Sequence, residues 1–246
     1  MKKWLLFALI FTFILPASAF AKRKTYEVVE VANGGSIVGT IKAAEVVADP
    51  TKKIKAVVPA ESKICGTEFK MNKFVISPDL NIKNVFVALQ DVTTGKAMPK
   101  EDLHIDLKNC QFDPLTAVVY KGSHIVVKNS DPVFHNISMG LMLKDRRSTV
   151  YNLALPNQNM EIKKPVRRTG MYNIKCDAHP WMRAYVYAAR NPYVALTDEN
   201  GKFEITDIPP GKYAVLVWHE GFGEVKKTIE VKAGKATALD YTFAKP

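Results

Sequence analysis

Short apolar runs, interrupted by Gly, Pro, Asn and Asp, dominate the chain. Runs at 36–41, 57–58, 84–89, 103–107, 118–120, 125–128, 172–175 and 184–188 are apolar throughout or alternate apolar with polar positions, and they are rich in β-branched and aromatic side chains. That pattern, bounded by turn residues, predicts strands. No long stretch keeps a helical period. The fold class expected is therefore all-β, with many short strands layered into sandwiches or barrels. Lys121-Gly122, between two of the runs, reads as a hairpin-like turn. Asn200-Gly201, between Leu196 and Phe203, reads as a hairpin turn, because two central residues of that type accept the left-handed backbone a tight hairpin needs. Ile208-Pro209-Pro210-Gly211 repeats the idea.

The first 21 residues follow another pattern. Lys2 and Lys3 precede an apolar run at 4–15, and the small-x-small triplets Ala17-Ser18-Ala19 and Ala19-Phe20-Ala21 come next. This reads as a secretory signal peptide over 1–21, cleaved near Ala21. An uncleaved anchor would require a longer run. The mature chain is expected in the periplasm, with no membrane span after cleavage. About 225 residues then remain, enough for one large or two modest domains. The formal charge of +11 falls to about +9 once Lys2 and Lys3 are gone, which favours acidic partners. Nucleic acid is a poor partner for an exported chain whose longest basic run is Lys22-Arg23-Lys24.

Cysteine usage narrows the chemistry. There are three, Cys65, Cys110 and Cys176. In an oxidising compartment an odd count implies one pair and one residue with another task. Pairing Cys65 with Cys110 leaves Cys176 free. It opens the stretch Cys176-Asp177-Ala178-His179-Pro180-Trp181-Met182, which places a thiol, an imidazole and a thioether within one short loop. Thiolate, imidazoles and a weak axial thioether together suit copper. A second His is needed, and His135 is the candidate. His104, His124 and His219 are read as surface residues, Met139 and Met142 as core or as a second Cu(I) thioether site. Phe134 and Trp181 flank the ligands, and Arg146, Arg147, Arg167, Arg168 and Arg183 are candidates for a basic rim. Haem-attachment, zinc-protease, nucleophile-elbow and phosphate-loop motifs are absent from the sequence.

Two resemblances organise these residues. Lys121-Gly122, a strand, Asn129-Ser130-Asp131, His135-Asn136, then Gly170-Met171-Tyr172 leading to Cys176, His179 and Met182 resemble a cupredoxin, the type-I blue copper Greek-key β-sandwich. The short loop is closest to the amicyanin form. The resemblance implies one type-I copper ion as cofactor, held by His135, Cys176, His179 and Met182, with Asn136 tying the two ligand loops together. The runs Asp198-Glu199-Asn200-Gly201-Lys202-Phe203 and Pro209-Pro210-Gly211-Lys212-Tyr213 resemble the carboxypeptidase regulatory-like domain, a transthyretin-like β-sandwich. Such a domain should open on a strand like Gly35-Ser36-Ile37-Val38-Gly39-Thr40-Ile41. The expected organisation is a discontinuous sandwich of 22–100 plus 191–246, with the copper-binding domain of 101–190 inserted in it. The alternative is three consecutive units, the cupredoxin merely joined to its neighbours.

The function these resemblances imply is one-electron transfer between periplasmic redox partners, through weak docking at the copper edge. The expected partners are a cytochrome or a dehydrogenase with an acidic docking surface. The filled coordination sphere argues against an enzyme. The alternatives are a copper carrier or storage protein, and an adhesive or scaffold sandwich with a structural metal.

Overall fold

The computed structural model describes residues 25–48, 51–53, 61–70 and 72–245. The signal peptide read at 1–21 and the run at 57–58 lie outside the described residues. Among the described residues the only helix is the single turn Ser62–Cys65, and none is long and apolar enough to cross a membrane. The chain is all-β.

Two pairs of facing sheets account for most strands. In the first pair, a four-stranded sheet runs Glu161–Pro165, His124–Asn129, Leu103–Lys108, Gln111–Asp113. A five-stranded sheet runs Arg147–Leu155, His135–Met142, Gly170–Cys176, Arg183–Ala189, Thr116–Tyr120. In the second pair, Val194–Leu196, Phe86–Leu89, Gly211–His219 and Gly223–Val231 form one sheet. Lys202–Ile208, Gly35–Ala43 and Ala236–Ala238 form the other, with Tyr241–Phe243 also pairing Gly35–Ala43. Among the described residues no sheet closes on itself into a barrel. Gly35–Ala43 thus shares a sheet and a core with strands from the C-terminal part of the chain.

Side-chain alternation explains how the layers stack. In Gly170–Cys176, Tyr172 and Ile174 enter the core of the first sandwich, while Met171 faces the other way. In Arg183–Ala189, Ala184, Val186 and Ala188 point inward, and Tyr185 and Tyr187 point out. The second sandwich answers in kind: Val87, Leu89, Val215 and Val217 fill its own core, and Phe86, Leu216 and Trp218 face Met171, Tyr185 and Tyr187. A third apolar layer therefore joins the sandwiches. Successive strand residues point to opposite faces, so a strand buried on both faces reads as a continuous apolar run, as Phe86–Leu89 does. Asn191, in the link between the units, is buried; its amide donates to Leu89 O at 3.0 Å, and its carbonyl oxygen accepts from Tyr193 N at 2.9 Å.

The turns correct a local reading. Lys121-Gly122 joins Thr116–Tyr120 to His124–Asn129, but those strands lie in opposite sheets. The Asn200-Gly201 turn forms, with Gly201 at φ +67° and its N–H on Asp198 O at 3.0 Å, yet Val194–Leu196 and Lys202–Ile208 also part into different sheets. Pro209-Pro210 does the same between Lys202–Ile208 and Gly211–His219. These are corners of sandwiches, not hairpins.

Candidate metal centre

Two neighbouring antiparallel strands deliver the site. Ile137 lies opposite Cys176, so the start of His135–Met142 and the end of Gly170–Cys176 meet at one end of the five-stranded sheet. The loop at 177–182 then turns back into Arg183–Ala189. It is pinned by Asp177 N–H on Asn136 O at 2.8 Å, Met182 N–H on His179 O at 2.9 Å and Cys176 N–H on Met182 O at 3.3 Å. The loop donors are fixed by backbone bonds at both ends, and His135 by the strand beside them.

The side chains converge. Cys176 Sγ lies 3.7 Å from His135 Nδ1 and 3.6 Å from His179 Nδ1, and the two Nδ1 atoms are 3.0 Å apart. His135 is 0% exposed, and Cys176, His179 and Met182 are each 1% exposed. Cys176 is a free thiol. Met182 packs in the same core. Three donor atoms thus face one small volume from which water is excluded.

Each imidazole also has a carboxylate on its far side. His135 Nε2 meets Asp131 Oδ2 at 3.1 Å. This fixes the proton on Nε2 of the neutral ring and leaves the Nδ1 lone pair facing Cys176. Asp131 in turn accepts the N–H groups of Asn109 and Cys110 at 2.7 and 2.8 Å. His179 Nε2 lies 4.0 Å from Glu61 Oε1. Neither acid was singled out by sequence reasoning. Asp131 was visible only as a turn residue, and Glu61 comes from a distant segment with no motif.

Charge follows the geometry. Burial pushes the Cys176 thiol up, but His135, His179 and the backbone N–H groups of Asn136 and His179 outweigh it and pull it to about 6. Burial pushes His135 down, and Asp131 and Cys176 reverse that and raise it to about 9. Each shift favours the charged form, a thiolate at Cys176 and an imidazolium at His135. The donor set, one thiolate and two imidazoles with a buried thioether nearby, fits a soft metal ion.

Residues on the rim depart from expectation in several places. Cys65 and Cys110 form the expected disulfide; its position is what was not foreseen. Both sulfurs lie within 4.8 Å of a His179 ring nitrogen and of each other, beside the centre and not remote from it. Trp181 Nε1–H donates to Cys110 O at 3.2 Å, and Phe134 is 45% exposed. Arg147 does not belong to a basic rim: its guanidinium turns in to Ser138 O at 2.6 Å and Asn173 O at 3.1 Å. Met139 is in the core and Met142 lies 41% exposed, so they make no common thioether site. His104 is exposed and His124 bonds Asp102 at 3.0 Å. His219, expected at the surface, is buried against Phe74 and Phe222.

The carboxypeptidase regulatory-like domain family matches residues 178–244. That is less than half of the chain, and the match begins inside the ligand loop. No curated protein sequence matches the chain. Among solved structures, a purple cupredoxin from Nitrosopumilus maritimus is similar at 22% identity over 36% of this chain and all of that one, with a TM-score of 0.31. Amicyanin from Paracoccus versutus is similar at 14% identity over 37% of this chain and 85% of that one, TM-score 0.31. A copper-containing nitrite reductase from Thermus scotoductus is similar at 14% identity, with only 24% of its length covered, TM-score 0.31. Likeness at this level describes a distantly cupredoxin-like region and carries no ligand set or activity.

Three linked expectations are corrected by these findings: membership among amicyanin-like blue copper proteins, one-electron transfer, and a resident type-I copper ion. Of the donor groups around the two imidazoles, two draw on Cys65 or Cys110, and those residues are joined as a disulfide, not copper-binding thiolates. The edge at which docking was expected is closed: His179 is 1% exposed, with Glu61 Oε1 4.0 Å from its Nε2 and the Trp181 ring beside it. The family comparison supports a carboxypeptidase regulatory-like domain over residues 178–244.

Proposed function

We propose that this chain is an exported copper carrier or storage protein, in which the metal is cargo. The observation that carries the reading is the convergence of Cys176 Sγ, His135 Nδ1 and His179 Nδ1 in a sealed volume with acids behind both rings. Thiolate and imidazole donors favour copper, and a buried site with no exposed ligand edge suits retention better than rapid docking and exchange of electrons. Met182 is the fourth donor, and the Asn136 backbone N–H supports the thiolate. The role is non-enzymatic. The unit at 101–190 is read as a Greek-key sandwich inserted in the regulatory-like sandwich of 22–100 plus 191–246. That second sandwich is the frame: its face against Tyr185 and Tyr187 stiffens the strand that follows the ligand loop. The periplasm, reached after signal cleavage, is the proposed location, and the basic charge suits acidic donors and acceptors of the ion.

Competition with a chromophoric Cu(I) chelator tests this. The wild-type protein should withdraw one equivalent from the chelator, and Cys176→Ser should withdraw none at the same concentrations. Equal uptake by the two would remove the reading.

A further inference from the structure

We propose that the Cys65–Cys110 disulfide is a latent second metal site, opened by reduction and adjoining the first through His179. Cys65 Sγ, Cys110 Sγ and a ring nitrogen of His179 all lie within 4.8 Å of one another. Cys110 Sγ also lies within 4.8 Å of donor atoms of Asp131 and His135. This sulfur pair therefore sits among the groups that serve the Cys176 site, joined across a sequence separation of 45.

A second observation points to a ligand. His179 Nδ1 is turned to Cys176 and His135, and His179 Nε2 is buried with no hydrogen-bond partner. Glu61 Oε2, on the residue that precedes the helical turn bearing Cys65, is likewise buried and unpartnered. Buried polar atoms without partners are rare and costly, and two of them beside one sulfur pair mark a place suited to a cation. In the disulfide form the two sulfurs are neutral and bonded to each other. A dithiol reductant changes that: it gives two electrons and two protons to Cys65 and Cys110 and leaves as its own disulfide. Each new thiol loses its proton to solvent as a soft cation binds, and His179 Nε2 loses its proton to solvent as well, so that two thiolates and a bridging imidazolate, with Nδ1 on the first ion and Nε2 on the second, hold the pair of ions while Glu61 stays close by. Soft thiolate pairs select Cu(I). The consequence is a capacity set by the redox state of the surroundings: one ion in the oxidised chain and two in the reduced chain. The first of these counts rests on the carrier reading; the increment does not.

The test uses the full chain under anaerobic conditions. Protein is left oxidised, or reduced with a phosphine that is removed before Cu(I) is added with ascorbate. Ions bound per folded chain are counted by native mass spectrometry, and thiolate ligation is followed in the ultraviolet. Wild type should go from one ion to two on reduction, Cys176→Ser from none to one, and the Cys65→Ala, Cys110→Ala double variant should stay at one. The proposal is overturned if reduction adds no ion to wild type and none to Cys176→Ser. It is overturned equally if the double variant gains an ion on the same treatment. Should the double variant not fold, the wild-type and Cys176→Ser pairs decide alone. Oxidised wild type that holds no ion, beside reduced Cys176→Ser that holds one, would sink the carrier reading and leave this one standing.

Discussion

His135 and His219 both sit at a strand end, one in each sandwich, and both are buried, yet their surroundings shift them in opposite directions. His219 closes Gly211–His219 between Phe74 and Phe222, and its Nδ1 accepts from Gly221 N–H at 3.1 Å. Burial there, with the Lys73 charge nearby, pushes its pKa down to about 4. His135 opens His135–Met142 with Asp131 on one nitrogen and Cys176 on the other, and it is pushed up to about 9 against the same tendency of burial. Burial alone makes a neutral packing element of an imidazole. Burial with a thiolate and a carboxylate makes a place for a cation.

The sharpest way to break the contrast is to loosen the frame common to both. Trp218 precedes His219 and packs on Phe86 and Tyr185 in the layer between the sandwiches. Trp218→Ala should cost about 3–5 kcal/mol of stability, read from denaturant midpoints at unchanged slope. Loss below about 1 kcal/mol would mean the layer is not a joint core.

Acid should act next, through His219. The folded pKa is depressed, so between pH 6.5 and about 4 the unfolded chain binds the extra proton. Stability contributed by the neutral ring is present above pH 6.5, declines as pH falls and is lost below about 4. The difference amounts to roughly 3 kcal/mol. Thermal unfolding of metal-free wild type and His219→Asn across this range checks it: the variant should show the flatter profile.

Asp131→Asn tests the other half. The amide still accepts from Nε2–H but lacks the negative charge that strengthens the Nδ1 donor and offsets a bound cation, so Cu(I) affinity should fall by about 10–100-fold, with the strands intact by circular dichroism. Glu61→Gln should have the smallest effect, under about tenfold, because Glu61 Oε1 stands 4.0 Å from His179 and makes no hydrogen bond to it. A larger loss for Glu61→Gln than for Asp131→Asn would reverse the ranking of the two acids.

Turn chemistry carries a related lesson. Lys121-Gly122, Asn200-Gly201 and Pro209-Pro210 all make turns where the sequence places them, and each sends the chain to the opposite sheet. A turn residue fixes a few backbone angles. Which sheet the following strand joins depends on partners far along the chain, such as Phe86–Leu89 for Val194–Leu196 and Gly35–Ala43 for Lys202–Ile208.

By itself the sequence determined the β-rich pattern, the loop carrying Cys176, His179 and Met182, and an odd thiol left over from a disulfide. These are local or arithmetical properties: alternation sets which faces are apolar, and loop spacing brings three donors together whatever the rest of the chain does. Only the tertiary structure decided that Asp131 and Glu61 stand behind the imidazoles, that the Cys65–Cys110 disulfide borders the site, and that His219 is sealed among aromatic rings. Most of those contacts span long sequence separations, and all depend on which way a side chain leaves a strand or turn. Burial and neighbouring charge, which set the chemistry of a His or a Cys, arise only when the sheets close on one another.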